Sequence, residues 1–170
     1  MYAAPLLAQQ HDAAVAHPPA SAGDTSAGDT SAGDTGFRAL QARGQQAMGV
    51  DQYTSTHHFD ARPDGGRIVL ERTTAEDSIG IKHIRAHLHA IALAFKAGDF
   101  STPMFVHMRT IPGVQAMAAK RGVITYTVHD LPLGGEMQIT TADSDAVHAI
   151  HEFLGFQRGE HHAAGAGATH

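Results

Sequence analysis

Histidine is the residue type in this chain with the widest chemical reach. Fourteen of the 170 residues are histidine, whereas cysteine and tryptophan are absent. Without cysteine the chain has no disulfide, thiolate metal site, thiol nucleophile or covalent c-type haem attachment. Neutral imidazole is the commonest protein ligand for transition metals, and it exchanges protons near neutral pH. The composition therefore indicates imidazole chemistry without naming a reaction.

Strand and helix periodicity selects four of these histidines as candidate metal ligands. One lies on the inward face of a predicted strand, beside Phe59. Two flank the apolar stripes of predicted helices, and one lies between Met104 and Met108, where thioether and imidazole together favour copper. The four candidates are His57, His87, His107 and His151. The expected ion is copper or zinc, at least two of the four should lie close together, and His58, His89 and His129 should be exposed.

Two other functions fit the same residues. A non-covalent haem or another small ligand could bind in a pocket lined by Phe and Met, with His57 or His107 as the axial ligand of the haem. A structural or partner-binding domain would use its histidines only to tune surface charge. No phosphate-binding glycine loop and no nucleophile elbow occurs in the sequence, so the expectation leans towards a binding protein rather than an enzyme.

The charge balance restricts the partners. Twelve Lys and Arg stand against 17 Asp and Glu, a net charge of −5. Nucleic acids and anionic membranes attract clustered basic residues, so neither is an expected partner. No apolar run is long enough for a membrane-spanning helix. The expected partner is a metal ion or a small ligand, in an oligomeric state that the sequence leaves open.

The elements that position these histidines occur twice along the chain. A hairpin, a Gly-Gly turn, a Thr-Thr-Ala capping segment and an amphipathic helix are predicted at 53–97 and again at 123–158. Placing Asp77 on Asp143 superposes Ile84 on Ile150 and Leu88 on Leu154. The predicted fold is α+β: two β-hairpin–helix repeats form a four-stranded antiparallel sheet with helices on one face. Residues 100–111 fit either a helix or a strand, and Pro112 is expected to open a short helix.

The chain ends differ in composition from this domain. Residues 1–36 contain three tandem Ser-Ala-Gly-Asp-Thr copies, which predict a disordered segment. Its apolar start resembles the remnant of a signal peptide, so a periplasmic or secreted location is expected. The single α+β domain is expected over 37–162, followed by a disordered tail at 163–170.

A resemblance to known proteins rests on segments between about 48 and 162: Met48–Tyr53, His57 with Phe59, Ile84–Leu88, Gly98–Phe100, Pro103–His107, Pro112-Gly113, Leu131–Gly135 and Ile150–Gln157. With these segments the chain resembles a group of small, exported bacterial proteins that often carry the label aspartate carbamoyltransferase. The resemblance favours an exported location and implies no site residues. The label itself requires a Ser-Thr-Arg-Thr phosphate loop and two larger α/β domains, which this sequence lacks, so carbamoyltransferase activity is not expected.

Overall fold

A four-stranded antiparallel sheet forms the centre of the fold, with helices packed on it. This computed structural model describes residues 38–40, 42–47, 49 and 54–161, and it confirms the predicted α+β class. The strands are β1 (Ser55–Arg62), β2 (Gly65–Arg72), β3 (Thr125–Leu131) and β4 (Gly134–Thr140). Their order across the sheet is β1-β2-β4-β3. The helices are α1 (residues 38–40 and 42–47), α2 (Ser78–Ala97), α3 (Ser101–His107), α4 (Val114–Ala119) and α5 (Ser144–Glu160).

The two long helices begin with the same local chemistry. The side chain of Asp77 accepts a hydrogen bond from the backbone N–H of Gly80, and Asp143 accepts one from Ala146 in the same way. A carboxylate at the N-cap position satisfies a backbone donor that the helix itself leaves unpaired. Helix α2 then ends at Gly98, whose positive φ of 83° favours glycine.

The strand register relates the two repeats by an approximate twofold axis between β2 and β4. Gly66 of β2 pairs with Ile139 of β4, and Gly135 of β4 pairs in the same way with Leu70 of β2. A Cβ on Gly66 would meet the Leu154 side chain, and one on Gly135 would meet the Leu88 side chain. Each glycine thus lets a leucine of the facing helix approach the sheet closely.

Each long helix covers the hairpin of the other repeat. Helix α2 packs on β3 and β4, whereas α5 packs on β1 and β2. Ile84 and Leu88 of α2 are fully buried, as are their counterparts Ile150 and Leu154 of α5. The predicted correspondence of core positions therefore appears in the packing, and the fold encloses one hydrophobic core.

The structure between the two repeats settles the conformation of residues 101–107 and corrects the prediction for Pro112. Residues 101–107, which fitted either a helix or a strand, form α3. Pro112 does not open α4 at its first helical position, because Gly113 occupies the N-cap with a φ of 80°. A Cβ on Gly113 would overlap the backbone of Ala149, so close packing against α5 decides this boundary.

The predictions for residues 1–36 and 163–170 lie outside the described residues. Within the described ranges, no helix is long and apolar enough to cross a membrane.

Gly135→Ala tests the close approach of helix and sheet. The added methyl would lie 2.8 Å from Leu88 Cδ1 and 3.3 Å from the His129 carbonyl oxygen. Such overpacking should lower the free energy of unfolding by about 1–3 kcal/mol, as measured by urea denaturation. Gly155→Ala is the control, since nothing lies within 4 Å of its added Cβ. It should stabilise helix α5 by roughly 0.5–1 kcal/mol. Equal stability of Gly135→Ala and the parent protein would contradict the packing argument.

Candidate functional site

A cleft lies between the sheet and the helices at the β1 side of the molecule. Its enclosed volume is about 70 Å³, and the total is about 540 Å³ when the open solvent at its mouth is included. The walls are mostly apolar and include Leu70 of β2, Phe95 of α2 and Phe153 of α5. Helix α3 covers one side through Val106, whose carbonyl accepts a hydrogen bond of 2.6 Å from Arg43 of α1. Four histidines line this apolar cleft: His57, His87, His107 and His161.

The first strand turns His57 towards the cleft, as its alternation predicted. His57 is only 4 % exposed and lies on the same sheet face as Phe59. Its Nε2 is 3.0 Å from the hydroxyl of Ser55, two residues earlier on that face. Burial, followed by the smaller effect of the positive charges that His87 and His58 would carry, lowers the pKa of His57 to about 4. The imidazole of His57 is therefore neutral at pH 7.

Helices α3 and α5 bring two more imidazoles into direct contact. His107 Nε2 lies 3.2 Å from His161 Nε2 and 3.1 Å from Gln157 Oε1. Both histidines and Gln157 are buried. The ring centroids are 5.0 Å apart for His107 and His161, and 5.8 Å apart for His161 and His57. His161 therefore lies between the strand histidine and the α3 histidine.

The other ring nitrogen of His107 faces a carboxylate. His107 Nδ1 is buried without a hydrogen-bond partner, and Glu160 Oε2 lies 3.9 Å away. Arg109 holds the second oxygen of Glu160 at 2.6 Å. Burial lowers the pKa of His107, while the Gln157 hydrogen bond and the Glu160 charge oppose that shift. The amide oxygen of Gln157 can only accept, so its hydrogen bond places the ring proton of His107 on Nε2; coordination of an ion at Nε2 would require that proton on Nδ1, on the side of Glu160.

His87 lies at the border of this group, as predicted from its position beside the α2 stripe. It is half-buried, and its ring donates to the backbone carbonyl of Ala47 in α1. Burial lowers the pKa of His87 to about 4, although the Ala47 hydrogen bond opposes the shift. His87 is close enough to His57 for its charge to affect the titration of His57.

His151 does not join the other three predicted ligands. Its Nε2 donates to the Arg62 carbonyl at the end of β1, with a distance of 2.9 Å. In the other repeat the corresponding residue, Arg85, donates to the carbonyls of Leu131 and Gly134. His151 therefore links helix α5 to the β1–β2 hairpin that it covers. Arg85 links helix α2 to the β3–β4 hairpin in the same way, so both residues hold a helix on a hairpin.

The histidines expected on the surface lie outside the cleft. His89 and His129 are exposed, as predicted. The same prediction was wrong for His58, which is half-buried because it lies beside Val69 of the neighbouring strand on the open face of the sheet. The strand register of β1 is thus the one that the sequence predicted.

The approximate twofold axis supplies an internal comparison for the cleft. The position of His57 corresponds to Tyr126, and the positions of Gln157 and His161 correspond to Ile91 and Phe95. Tyr126 and Phe95 make an edge-on ring contact at 5.9 Å, nearly the 5.8 Å between His57 and His161. The first repeat thus has a tyrosine and two apolar side chains at these positions, whereas the second carries three polar side chains, and Ile91 and Phe95 also line the cleft.

Three residues of the site were not among the predicted ligands: Gln157, Glu160 and His161. For two of them, the comparison of the two repeats in the sequence contained a signal. Gln157 and His161 occupy positions where the first repeat has Ile91 and Phe95, so a polar pair replaces an apolar pair on a core-facing stripe. Glu160 carries no such signal, because its role depends on how α3 lies against α5.

No ready-made metal site is present among residues 38–40, 42–47, 49 and 54–161: no group of three or more His, Asp or Glu side chains already converges as metal ligands do. Comparisons with protein-family models, with curated proteins and with solved structures found no match. The chemistry of the cleft therefore follows from its own geometry.

Stability should fall as the pH is lowered, because His57 is buried in its neutral form. An unfolded imidazole takes up a proton near pH 6.5, whereas His57 resists protonation until about pH 4. The full stability is present above pH 6.5 and is lost progressively down to about pH 4. The pKa shift of His57 should supply about 2–3 kcal/mol of the loss between pH 7 and pH 4.5.

His57→Gln should reduce that loss in urea denaturation at a series of pH values. His129→Gln, which changes an exposed strand histidine, is the control and should keep the parental pH dependence. Identical pH dependence in His57→Gln and the parent protein would contradict the assignment.

Proposed function

We propose that the protein binds a transition-metal ion, copper or zinc, in this cleft through imidazole ligands. The observation that carries the proposal is the pair of buried nitrogens, His107 Nε2 and His161 Nε2, 3.2 Å apart. Two nitrogens bound at about 2 Å to one tetrahedral ion are themselves about 3.3 Å apart. The distance therefore suits a hydrogen bond between the two rings in the free protein and joint coordination of an ion in the bound one.

A third imidazole is close enough to complete the set. Rings that bind one tetrahedral ion have centroids about 5 Å apart. His107 and His161 meet this value at 5.0 Å, whereas His57 and His161 lie 5.8 Å apart. A shift of less than one ångström would bring His57 to the same separation from His161. His87, at the border of the cleft, is a further candidate beside these three.

The surroundings of these histidines favour coordination. Metal-bound imidazoles usually donate their second N–H to a fixed polar partner, which sets the tautomer. Ser55 provides a hydroxyl at His57 Nε2, and Glu160 provides a carboxylate near His107 Nδ1. Burial keeps His57 neutral at pH 7, and neutral imidazole is the form that binds metals.

The internal comparison argues against a purely structural origin for the cluster. In the other repeat the corresponding positions are Tyr126, Ile91 and Phe95, so the scaffold does not require polar side chains at the positions of Gln157 and His161. Burying polar groups costs free energy unless they gain partners. His57, Gln157 and His161 therefore fit a ligand-binding role better than a packing role.

Haem remains a second candidate because the imidazoles border an apolar cleft. His107 Nε2 would be the axial ligand, since Glu160 near Nδ1 resembles the support that other metal-bound histidines receive. A haem titration followed by absorbance near the Soret band separates haem binding from binding of a bare metal ion.

Isothermal titration of the full, untagged chain with Zn²⁺ and with Cu²⁺ tests the metal site. One ion should bind per chain at pH 7.5, and the affinity should fall as the pH drops and the imidazoles take up protons. His107→Ala and His161→Ala should each remove a direct ligand. Glu160→Gln removes only the outer partner and should weaken binding by roughly 10–100-fold.

His151→Ala is the matched control for this titration. It removes a histidine that binds the Arg62 carbonyl, so metal affinity should be unchanged. Equal affinities in His107→Ala, His161→Ala and the parent chain would contradict the proposed site, as would the absence of binding by both ions.

A further inference from the structure

Helix α1 covers one side of the cleft but has little apolar surface to hold it there. Ala47 of α1 lines the cleft. Among the described residues of α1, Leu40 is the one large apolar side chain that is buried. The same face otherwise presents Gly44, which is buried, and Ala47, which is half-buried. A short helix with so small an apolar face is marginally stable by itself, so its position depends on polar contacts with other elements.

Two imidazoles of α2 bind the carboxyl end of α1. His83 and His87 lie one turn apart on α2. His83 Nδ1 donates to the Gly49 carbonyl at 3.2 Å, and the ring of His87 donates to the Ala47 carbonyl. The last carbonyls of a helix have no partner within it. The two imidazoles therefore satisfy acceptors that α1 itself leaves unpaired.

These two histidines differ in their access to the imidazole group of the cleft. His87 lines the cleft and is close enough to His57 to affect its titration, whereas His83 is exposed and does not line the cleft. Burial lowers the pKa of His87 to about 4, so its ring is neutral at pH 7. A neutral imidazole has one N–H and one nitrogen lone pair. Because the N–H donates to Ala47, the other ring nitrogen of His87 can bind an ion.

We infer that a metal ion bound in the cleft stabilises α1 in its position over the cleft, with His87 as the ligand that connects the two. Metal-bound imidazoles usually donate their second N–H to a carboxylate, a backbone carbonyl or water, and the Ala47 carbonyl is such a partner. An ion withdraws electron density from the ring, which makes the N–H a stronger donor to Ala47. The inference rests on the proposed function, because the ion is the one that the cleft imidazoles bind.

Thermodynamic linkage sets the size of this effect. The factor by which docked α1 raises metal affinity equals the factor by which the ion favours docked α1. Loss of an outer partner of a metal-bound histidine typically costs about 10–100-fold in metal affinity. A saturating ion should therefore lower the population of released α1 by about 10–100-fold. Occupancy of the cleft would then be expressed at α1, the first helix of the domain.

Amide hydrogen exchange of the full chain, resolved to single residues by mass spectrometry, tests this coupling. The Gly49 amide donates to the Gln45 carbonyl at 2.8 Å, so its exchange reports the release of α1. The Lys120 amide donates to the Ala116 carbonyl at 2.9 Å at the end of α4 and is the matched reference. Saturating Zn²⁺, or Cu²⁺ if only copper binds, should slow exchange at Gly49 by about 10–100-fold and at Lys120 much less. Equal slowing at both amides would mean that the ion only stabilises the whole fold, and would overturn the inference.

Two variants of α2 separate the ligand from the hydrogen bond. His87→Gln keeps an N–H that can donate to Ala47 but removes the imidazole. At an ion concentration that saturates this variant, the additional slowing at Gly49 should disappear. His83→Ala is the control, because it removes a contact with α1 outside the cleft. Exchange at Gly49 should be faster in His83→Ala, yet the ion should slow it by the parental factor.

Persistence of the additional slowing in His87→Gln, or its loss in His83→Ala, would overturn the inference. The calorimetric titration separates this result from a failure of the proposed function. One ion bound per chain with unchanged exchange at Gly49 overturns the inference and leaves the metal site supported. The absence of binding by both ions overturns the metal site and the inference together.

Discussion

The close approach of a leucine to a glycine in the sheet is the contact on which the architecture depends. Leu154 faces Gly66, and Leu88 faces Gly135, each from the helix of the opposite repeat. A side chain at either glycine would separate helix and sheet at the centre of the core. This separation would loosen every apolar contact around it, because protein interiors are packed as densely as crystals. The two contacts therefore fix where each helix lies on the sheet.

That shared geometry makes the differences between the two ends informative. At one end, Phe95 stacks on Phe100 at a centroid distance of 4.3 Å, so the connecting segment completes an aromatic core. At the other end, the same connecting segment contributes His107, and α5 contributes His161. Phe95 and Phe153 belong to this aromatic core and also line the cleft, so the core and the imidazole group share a wall.

Local signals in the sequence were sufficient for most of the fold. The Asp N-caps and the strand alternation that turns His57 inward depend on neighbouring residues, and both agree with the structure. The Gly-Gly pairs were predicted to form the hairpin turns, but they begin strands β2 and β4, and residues 63–64 and 132–133 form the turns. The site depended on contacts that no local pattern contains. His151 flanks an apolar stripe as His87 does, yet it bonds Arg62 because hairpin and helix meet there. His161 became part of the site only where α3 and α5 come together.

The exchange of helices between the repeats has a consequence for folding kinetics. The first hairpin remains without its cover until α5 has been synthesised, and Arg158 of α5 bonds the Phe59 carbonyl across 99 residues of sequence. Native contacts between such distant segments require long loops to close, which slows folding. Each repeat buries most of its sheet face under the helix of the other repeat. The chain should therefore fold as one cooperative unit, slowly for its length, and only after its last helix is available.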